Sequence, residues 1–263
     1  MENKRLKSGK NISSEKAANL SLCAKEQIYG YVHSQFFETL KLPENCSEVS
    51  GEINKAGWMI LRSAQEMNEY FEAVSGTENY KNQKTEICGT VSNLCEKAEP
   101  FLEKKGILFS CKVPWENIFV NVDREKLFYA VLNLLLNSAE NRSENGKIKV
   151  SVSKTRRFAK VTVSDNGTGM DEETLRRCTE PFFIKCETPG RKRMGLGLTL
   201  AHHFALKSGG RFKIQSKTGG GTSASILLPI CETEKSELIA GSFSAEIPGG
   251  VFSPVEIVLS SLK

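Results

Sequence analysis

A chain of 263 residues has room for two modest domains, each able to bury a core, and 39% hydrophobic with 25% charged residues describes a soluble globular protein. The net charge of +5 is mild, and the Lys and Arg residues are spread along the sequence rather than clustered, so no nucleic-acid partner is expected. No apolar run approaches the roughly 18 residues that cross a bilayer and no signal peptide opens the sequence, so no membrane partner is expected and the expected location is cytoplasmic.

The eight cysteines, from Cys23 to Cys231, include no Cys-x-x-Cys pair and no His/Cys cluster, which reads as reduced, mostly buried thiols rather than a metal site. Residues 1–13 are polar and basic (Lys4, Arg5, Lys7, Lys10) and read as a disordered arm. From Ser14 an apolar stripe of Ala18, Leu22, Tyr29, Val32, Phe36 and Leu40 has helical spacing, and Leu42-Pro43-Glu44-Asn45 breaks it. A second stripe (Val49, Ile53, Ile60, Met67, Phe71, Val74) ends at Ser75-Gly76. Residues 14–80 are therefore expected to form an antiparallel helical hairpin. Its stripes either pair with a second copy in a four-helix bundle or pack on the rest of the chain.

A helix over Glu86–Leu102 (Ile87, Val91, Leu94, Cys95, Ala98) should close at Lys104-Lys105-Gly106, with strands at Ile107–Val113 and Ile118–Val122. Asp123 is a good cap for the next helix, which buries Leu127, Val131, Leu134 and Leu135 and carries Asn133 and Asn137 on one face. Lys147–Ser153 and Ala159–Ser164 alternate as antiparallel strands. The second strand runs into Ser164-Asp-Asn-Gly-Thr-Gly-Met170, where Asp165 sits at the strand end and Gly167 and Gly169 allow close backbone approach to a flat ligand; a plain capping turn is the alternative. Glu180-Pro-Phe-Phe183 is either a motif or core filler, and Ile184–Met194 is a basic loop (Lys185, Arg191, Lys192, Arg193). Gly195-Leu196-Gly197-Leu198 opens an amphipathic helix whose free N–H groups and positive dipole end suit phosphate. Arg211–Ser216 and Thr222–Leu228 read as the last strands, joined through Gly219-Gly-Gly221; residues 232–263 form a tail or an added strand.

Taken in order, Asn133–Asn137, Asp165–Gly169, Glu180–Phe183 and Gly195–Leu198 resemble the GHKL ATP-binding domain of histidine kinases, Hsp90, type II topoisomerases and MutL, over about residues 95–230. Within that superfamily the chain is most similar to sensor histidine kinases. The resemblance implies an α+β two-layer sandwich (the Bergerat fold) over 81–231, preceded by the helical hairpin as a dimerisation domain. It implies ATP and Mg²⁺ as cofactors. Asn137 would take the Mg²⁺ held by the triphosphate, and Asp165 the adenine amino group. Asn133, Gly167, Gly169, Lys185, Arg193, Gly195, Leu196, Gly197, Leu198 and Thr222 would complete the nucleotide site, with Thr222 reaching a phosphate. The superfamily's ATPases carry a Glu general base where this chain has Asn133, so the chain is expected to hold ATP for transfer rather than to hydrolyse it.

One departure matters. The family's first hairpin helix carries a phosphoaccepting His followed by Glu or Asp, often with a later Pro, whereas Leu20–Glu26 contains no His. His33 is the one histidine of the hairpin, followed by Ser34 and with Glu38 at the Pro position, so the acceptor is left unassigned. His202 and His203 lie on the helix after the glycines. The expected activity is γ-phosphoryl transfer to a histidine and on to a response regulator, by a homodimer formed through the hairpin. The alternative is a non-catalytic ATP-binding dimeric regulator, with a protein-serine kinase like those of anti-sigma factors as a weaker third reading.

Overall fold

The computed structural model describes residues 47–184 and 194–231, and the chain divides into two compact units, up to Glu78 and from Asn79. Within the first unit, α1 (Ser47–Ser75) is the second helix of the expected hairpin. The first helix, with His33, lies outside the described residues. Inside α1, Arg62 and Glu66 pair at 2.8 Å one turn apart. Ser75 Oγ turns back to the Phe71 carbonyl, and Gly76 leaves the helix at φ 66°, in the left-handed region that suits glycine. Ile60, Phe71 and Val74 are exposed, so the helix presents an apolar stripe to its surroundings.

The second unit is a two-layer α/β sandwich. Strands β2 (Leu108–Lys112), β4 (Lys147–Lys154), β5 (Phe158–Asp165), β6 (Arg211–Ser216) and β7 (Thr222–Pro229) form one sheet in the order β2-β4-β5-β7-β6. β2 and β4 run parallel and the other neighbours antiparallel. Alternation places Ile148, Val150, Ala159, Val161, Val163, Ala224 and Ile226 on one buried face. Against that face pack α2 (Ile87–Lys104), α3 (Arg124–Glu140) and α5 (Gly197–Lys207), through Leu94, Leu102, Leu127, Leu135 and Phe204.

Local sequence explains the element starts. Glu86 caps α2 by accepting from the N–H groups of Cys88 and Gly89, so it precedes the helix rather than opening it. Asp123 caps α3 through the N–H groups of Glu125 and Lys126 at 3.0 and 3.1 Å, while its other oxygen accepts from Lys81 N. Two elements went unanticipated: β1 (Gln83–Glu86), antiparallel to β3 (Phe119–Val122), and the short α4 (Glu172–Arg177). Each is too short to show a period, and β1 exists because β3 offers it a partner. The thiols only partly match expectation: Cys88, Cys95 and Cys178 are buried and Cys231 half-buried, but Cys111 is exposed on the edge strand β2.

Candidate functional site

The candidate residues converge where β5 ends. The Asp165 carboxylate is held by three donors: Ser138 Oγ reaches Oδ2 at 2.8 Å, and the N–H groups of Gly167 and Thr222 reach Oδ1 at 2.9 and 3.1 Å. Ser138 comes from α3, Gly167 from the following loop and Thr222 from the start of β7, so three elements aim one side chain. A carboxylate has about four acceptor positions. One is left, on Oδ2.

The glycines of the loop are required by the chain's own packing. A β-carbon on Gly167 would stand 2.1 Å from the Asn141 carbonyl oxygen, and one on Gly169, where φ is 65°, would stand 1.9 Å from the Lys217 oxygen. Close packing of loop backbone on the chain itself demands glycine there, before any ligand is considered. Ser216 Oγ stitches the same junction, accepting from Met170 N at 2.9 Å and donating to the Gly221 carbonyl at 2.8 Å.

Asn133 and Asn137 lie one turn apart on α3, the first 8% exposed and the second half-buried. Asn137 Oδ1 accepts from Asn141 Nδ2 at 3.3 Å, a long bond that leaves the oxygen with acceptor capacity. α5 begins against this face: a β-carbon on Gly197 would lie 3.6–3.7 Å from the Asn133 side chain. Helices α2, α3 and α4 each have a carboxylate cap, whereas Leu196 caps α5 without a side-chain bond. The first-turn N–H groups of α5 are thus left for another acceptor. In that turn Thr199 Oγ1 is buried with no hydrogen-bond partner among the described residues, an orphan donor that a phosphate oxygen would satisfy. Leu196 is fully buried and Leu198 partly so, packing the glycine segment onto the core. These features fit a nucleotide whose base lies at Asp165 and whose phosphates lie at α5.

Thr222 stands beside Asp165. Its N–H holds Asp165 and its hydroxyl meets Ser216 Oγ at 2.8 Å. Phe182 is 48% exposed with φ 61°, and the Arg177 guanidinium sits 4.3 Å from the Phe183 ring centroid, so Glu180–Phe183 is not core filler. A β-carbon on Gly195 would stand 2.7 Å from the Phe183 carbonyl oxygen, which brings together the two ends of the basic loop. Lys185 and Arg193 lie outside the described residues. His202 leans on Phe212 with ring centroids 5.7 Å apart, and burial, then His203, pushes its pKa below the ordinary value. Ser138, Thr199 and Ser216 went unmarked in the sequence. Only the Ser directly after Asn137 had a visible cue, as a small polar residue within an apolar helix.

In fold and in the residues it brings together, the second unit is similar to GHKL-type ATP-binding domains of the histidine kinase-like sort. Residues 122–232 match the family model described as "Histidine kinase-, DNA gyrase B-, and HSP90-like ATPase". Among curated relatives, sporulation kinase C of Bacillus subtilis is 30% identical over 115 residues, 44% of this chain and 26% of its own length. Histidine protein kinase DivJ of Caulobacter vibrioides is 32% identical over 126 residues, 48% of this chain and 21% of its own. The chain thus spans about a quarter of the length of these relatives. Full-length ShkA, solved in complex with AMPPNP, superposes with a TM-score of 0.63 at 18% identity, covering 79% of this chain and 46% of that one. Acinetobacter baumannii histidine kinase AdeS does so with a TM-score of 0.56 at 15% identity, covering 81% and 98%. At these identities the superpositions show a common fold.

Proposed function

We propose that this chain binds Mg·ATP at the β5/α3/α5 site and transfers the γ-phosphoryl group to a protein histidine, from which a response regulator is phosphorylated. The observation that carries the reading is the Asp165 carboxylate, fixed by three donors with one acceptor position left, set apart from an uncapped helix start that lies against Asn133. The free position accepts the adenine amino group. The α5 N–H groups and Thr199 Oγ take phosphate oxygens, and Lys185 and Arg193 supply positive charge beside them. Asn137 Oδ1 is the single protein ligand for Mg²⁺, which prefers phosphate oxygens and water for its remaining positions. Bound Mg²⁺ supplies charge neutralisation at the phosphoryl oxygens. Asn133 offers an amide where hydrolysis would need a general base, so water is left unactivated. The exposed Ile60, Phe71 and Val74 stripe of α1 supports pairing of two copies through the hairpin.

A second reading, a non-catalytic ATP-binding regulator, is favoured by one observation: no His-Glu or His-Asp pair occurs in residues 14–80, and His33 precedes Ser34. Incubation with γ-labelled ATP and Mg²⁺ separates the two. Acid-labile, alkali-stable label that Asn137→Ala abolishes supports the kinase, and its loss in His33→Ala would assign the acceptor. ATP binding weakened by Asn137→Ala without any label supports the regulator. Absence of ATP binding overturns both.

A further inference from the structure

The face of the sheet turned away from the helices has a chemistry that the nucleotide site does not use. Because Ile148, Val150, Ala159, Val161, Ala224 and Ile226 face the helices, the intervening residues of the same strands face the opposite way. The registers Lys112↔Ser151↔Thr162↔Ser225↔Lys213 and Ser153↔Lys160↔Leu227↔Arg211 lay these out in rows across the sheet. Lys112, Lys147, Lys149, Lys160, Arg211 and Lys213 thereby share one face, with hydroxyls between them: Thr162 and Ser225 are hydrogen-bonded at 3.0 Å. The single acidic residue of the five strands, Asp165, is paired with Ile148 and sits on the helix side. Lysines that are scattered in sequence come to share one face of the sheet, spaced by hydroxyls.

At the far edge of this face the β4–β5 turn exposes Arg156 and Arg157, and Arg211 lies 5.4 Å from the Phe158 ring centroid. Beside the turn, Glu116 pairs with Lys154 at 2.9 Å, and the preceding residue, Trp115, is fully exposed at 104%. An indole standing wholly in water near that turn is unusual, because burying it would be favourable in almost any contact.

We propose that this face and turn dock on an anionic lipid bilayer, with Trp115 seated at headgroup depth. Charge complementarity and shape select that occupant. The face is a pleated sheet rather than a groove, and it carries five Lys to one Arg, which suits diffuse attraction to many headgroups over bidentate recognition. Single-stranded nucleic acid would want open aromatic platforms, yet Phe158 is covered by Arg211. Tryptophan is the residue that prefers the membrane–water interface, and basic groups around it add surface attraction. No described helix is long and apolar enough to cross a membrane, and surface docking needs none. Asp165 and α5 lie on the helix side of the sheet, not on the docked face.

The test is co-sedimentation of the full chain with vesicles of phosphatidylcholine alone and of phosphatidylcholine mixed with phosphatidylserine, at low and high salt. Binding is expected only with phosphatidylserine, and high salt should reverse it. Near an anionic surface each basic residue is worth about fivefold in partition, so Arg156→Ala with Arg157→Ala should weaken binding on the order of twentyfold. Tryptophan emission should shift to the blue on binding, and Trp115→Ala should abolish the shift; the remaining tryptophan, Trp58, reports any other contact. ATP binding by both variants serves as the check that they are folded. No binding, equal binding to both vesicles, or binding undiminished by the double substitution (as from basic residues 1–13) would overturn the proposal. So would capture of heparin or RNA with no emission shift on vesicles, which would assign the face to a soluble polyanion.

Discussion

Replacing Asp165 by Asn tests the base-recognition argument with little disturbance of the fold. Oδ1 accepts from the N–H groups of Gly167 and Thr222, so the amide oxygen of the variant must take that place. Its NH₂ then falls at Oδ2, where Ser138 Oγ can turn from donor to acceptor at 2.8 Å. All three protein contacts survive as neutral hydrogen bonds, so stability should drop by only about 1 kcal/mol, a melting shift of roughly 2–4 °C. The position left for the ligand, however, changes from acceptor to donor. It now opposes the adenine amino group, and losing a hydrogen bond to a charged acceptor costs about 1.5–3 kcal/mol, or roughly tenfold to a hundredfold in ATP affinity. Guanine presents a carbonyl oxygen at the corresponding edge, so GTP should gain relative to ATP. Calorimetric titration with both nucleotides, beside a thermal melt, measures all three quantities. ATP affinity within about twofold of wild type, in a folded variant, would refute the assignment of Asp165 to the base.

Other consequences follow from the same geometry. Gly169→Ala should prevent stable folding, because its β-carbon would lie 1.9 Å from the Lys217 oxygen, whereas Gly219→Ala, equally left-handed at φ 73° but with nothing within 4 Å, should cost only about 1–2 kcal/mol by denaturant melts. Equal losses at the two positions would sink the packing argument. Cys111 is exposed and its hydrogen bond with Cys95 favours its thiolate, while burial and then Glu86 push the Cys88 thiol up to about 12. Peptide mapping after brief alkylation at neutral pH should therefore find Cys111 modified well before Cys88. Burial and His203 hold the folded-state pKa of His202 below its ordinary 6.5, so the unfolded chain takes up the proton first and stability falls as pH drops below about 6.5. His202→Gln should lessen the fall in melting temperature between about pH 7.5 and about pH 5.5, and an unchanged slope would count against that burial effect.

Much of the second unit was legible in the sequence because its signals are local. Asp123 caps the helix it precedes, the Lys147–Ser153 and Ala159–Ser164 alternation does become β4 and β5, and Gly197 does open α5. A cap needs only the N–H groups two and three residues away, and alternation needs only the pleat, so neither depends on distant chain. The spacing of Asn133 and Asn137 likewise foretold a shared face, and Asp165 a strand end.

Local signals thus sufficed for the longer elements and the order of the motifs, while β1, α4 and the contacts of each side chain waited on packing between elements. Gly167 and Gly169 read as room for a ligand, and packing adds a second demand, because backbone from Asn141 and Lys217 stands where a β-carbon would be. The place of Thr222 was equally hidden, because only β7 pairing beside β5 delivers its N–H to Asp165. Ser138 and Ser216 had no motif to mark them, since their partners lie 27 and 46 residues away. The lysines looked scattered because their common face exists only once strand register lines them up. The physical reason is the same throughout: capping and periodicity are set within a few residues, while contacts between strands and helices depend on packing that no single segment encodes.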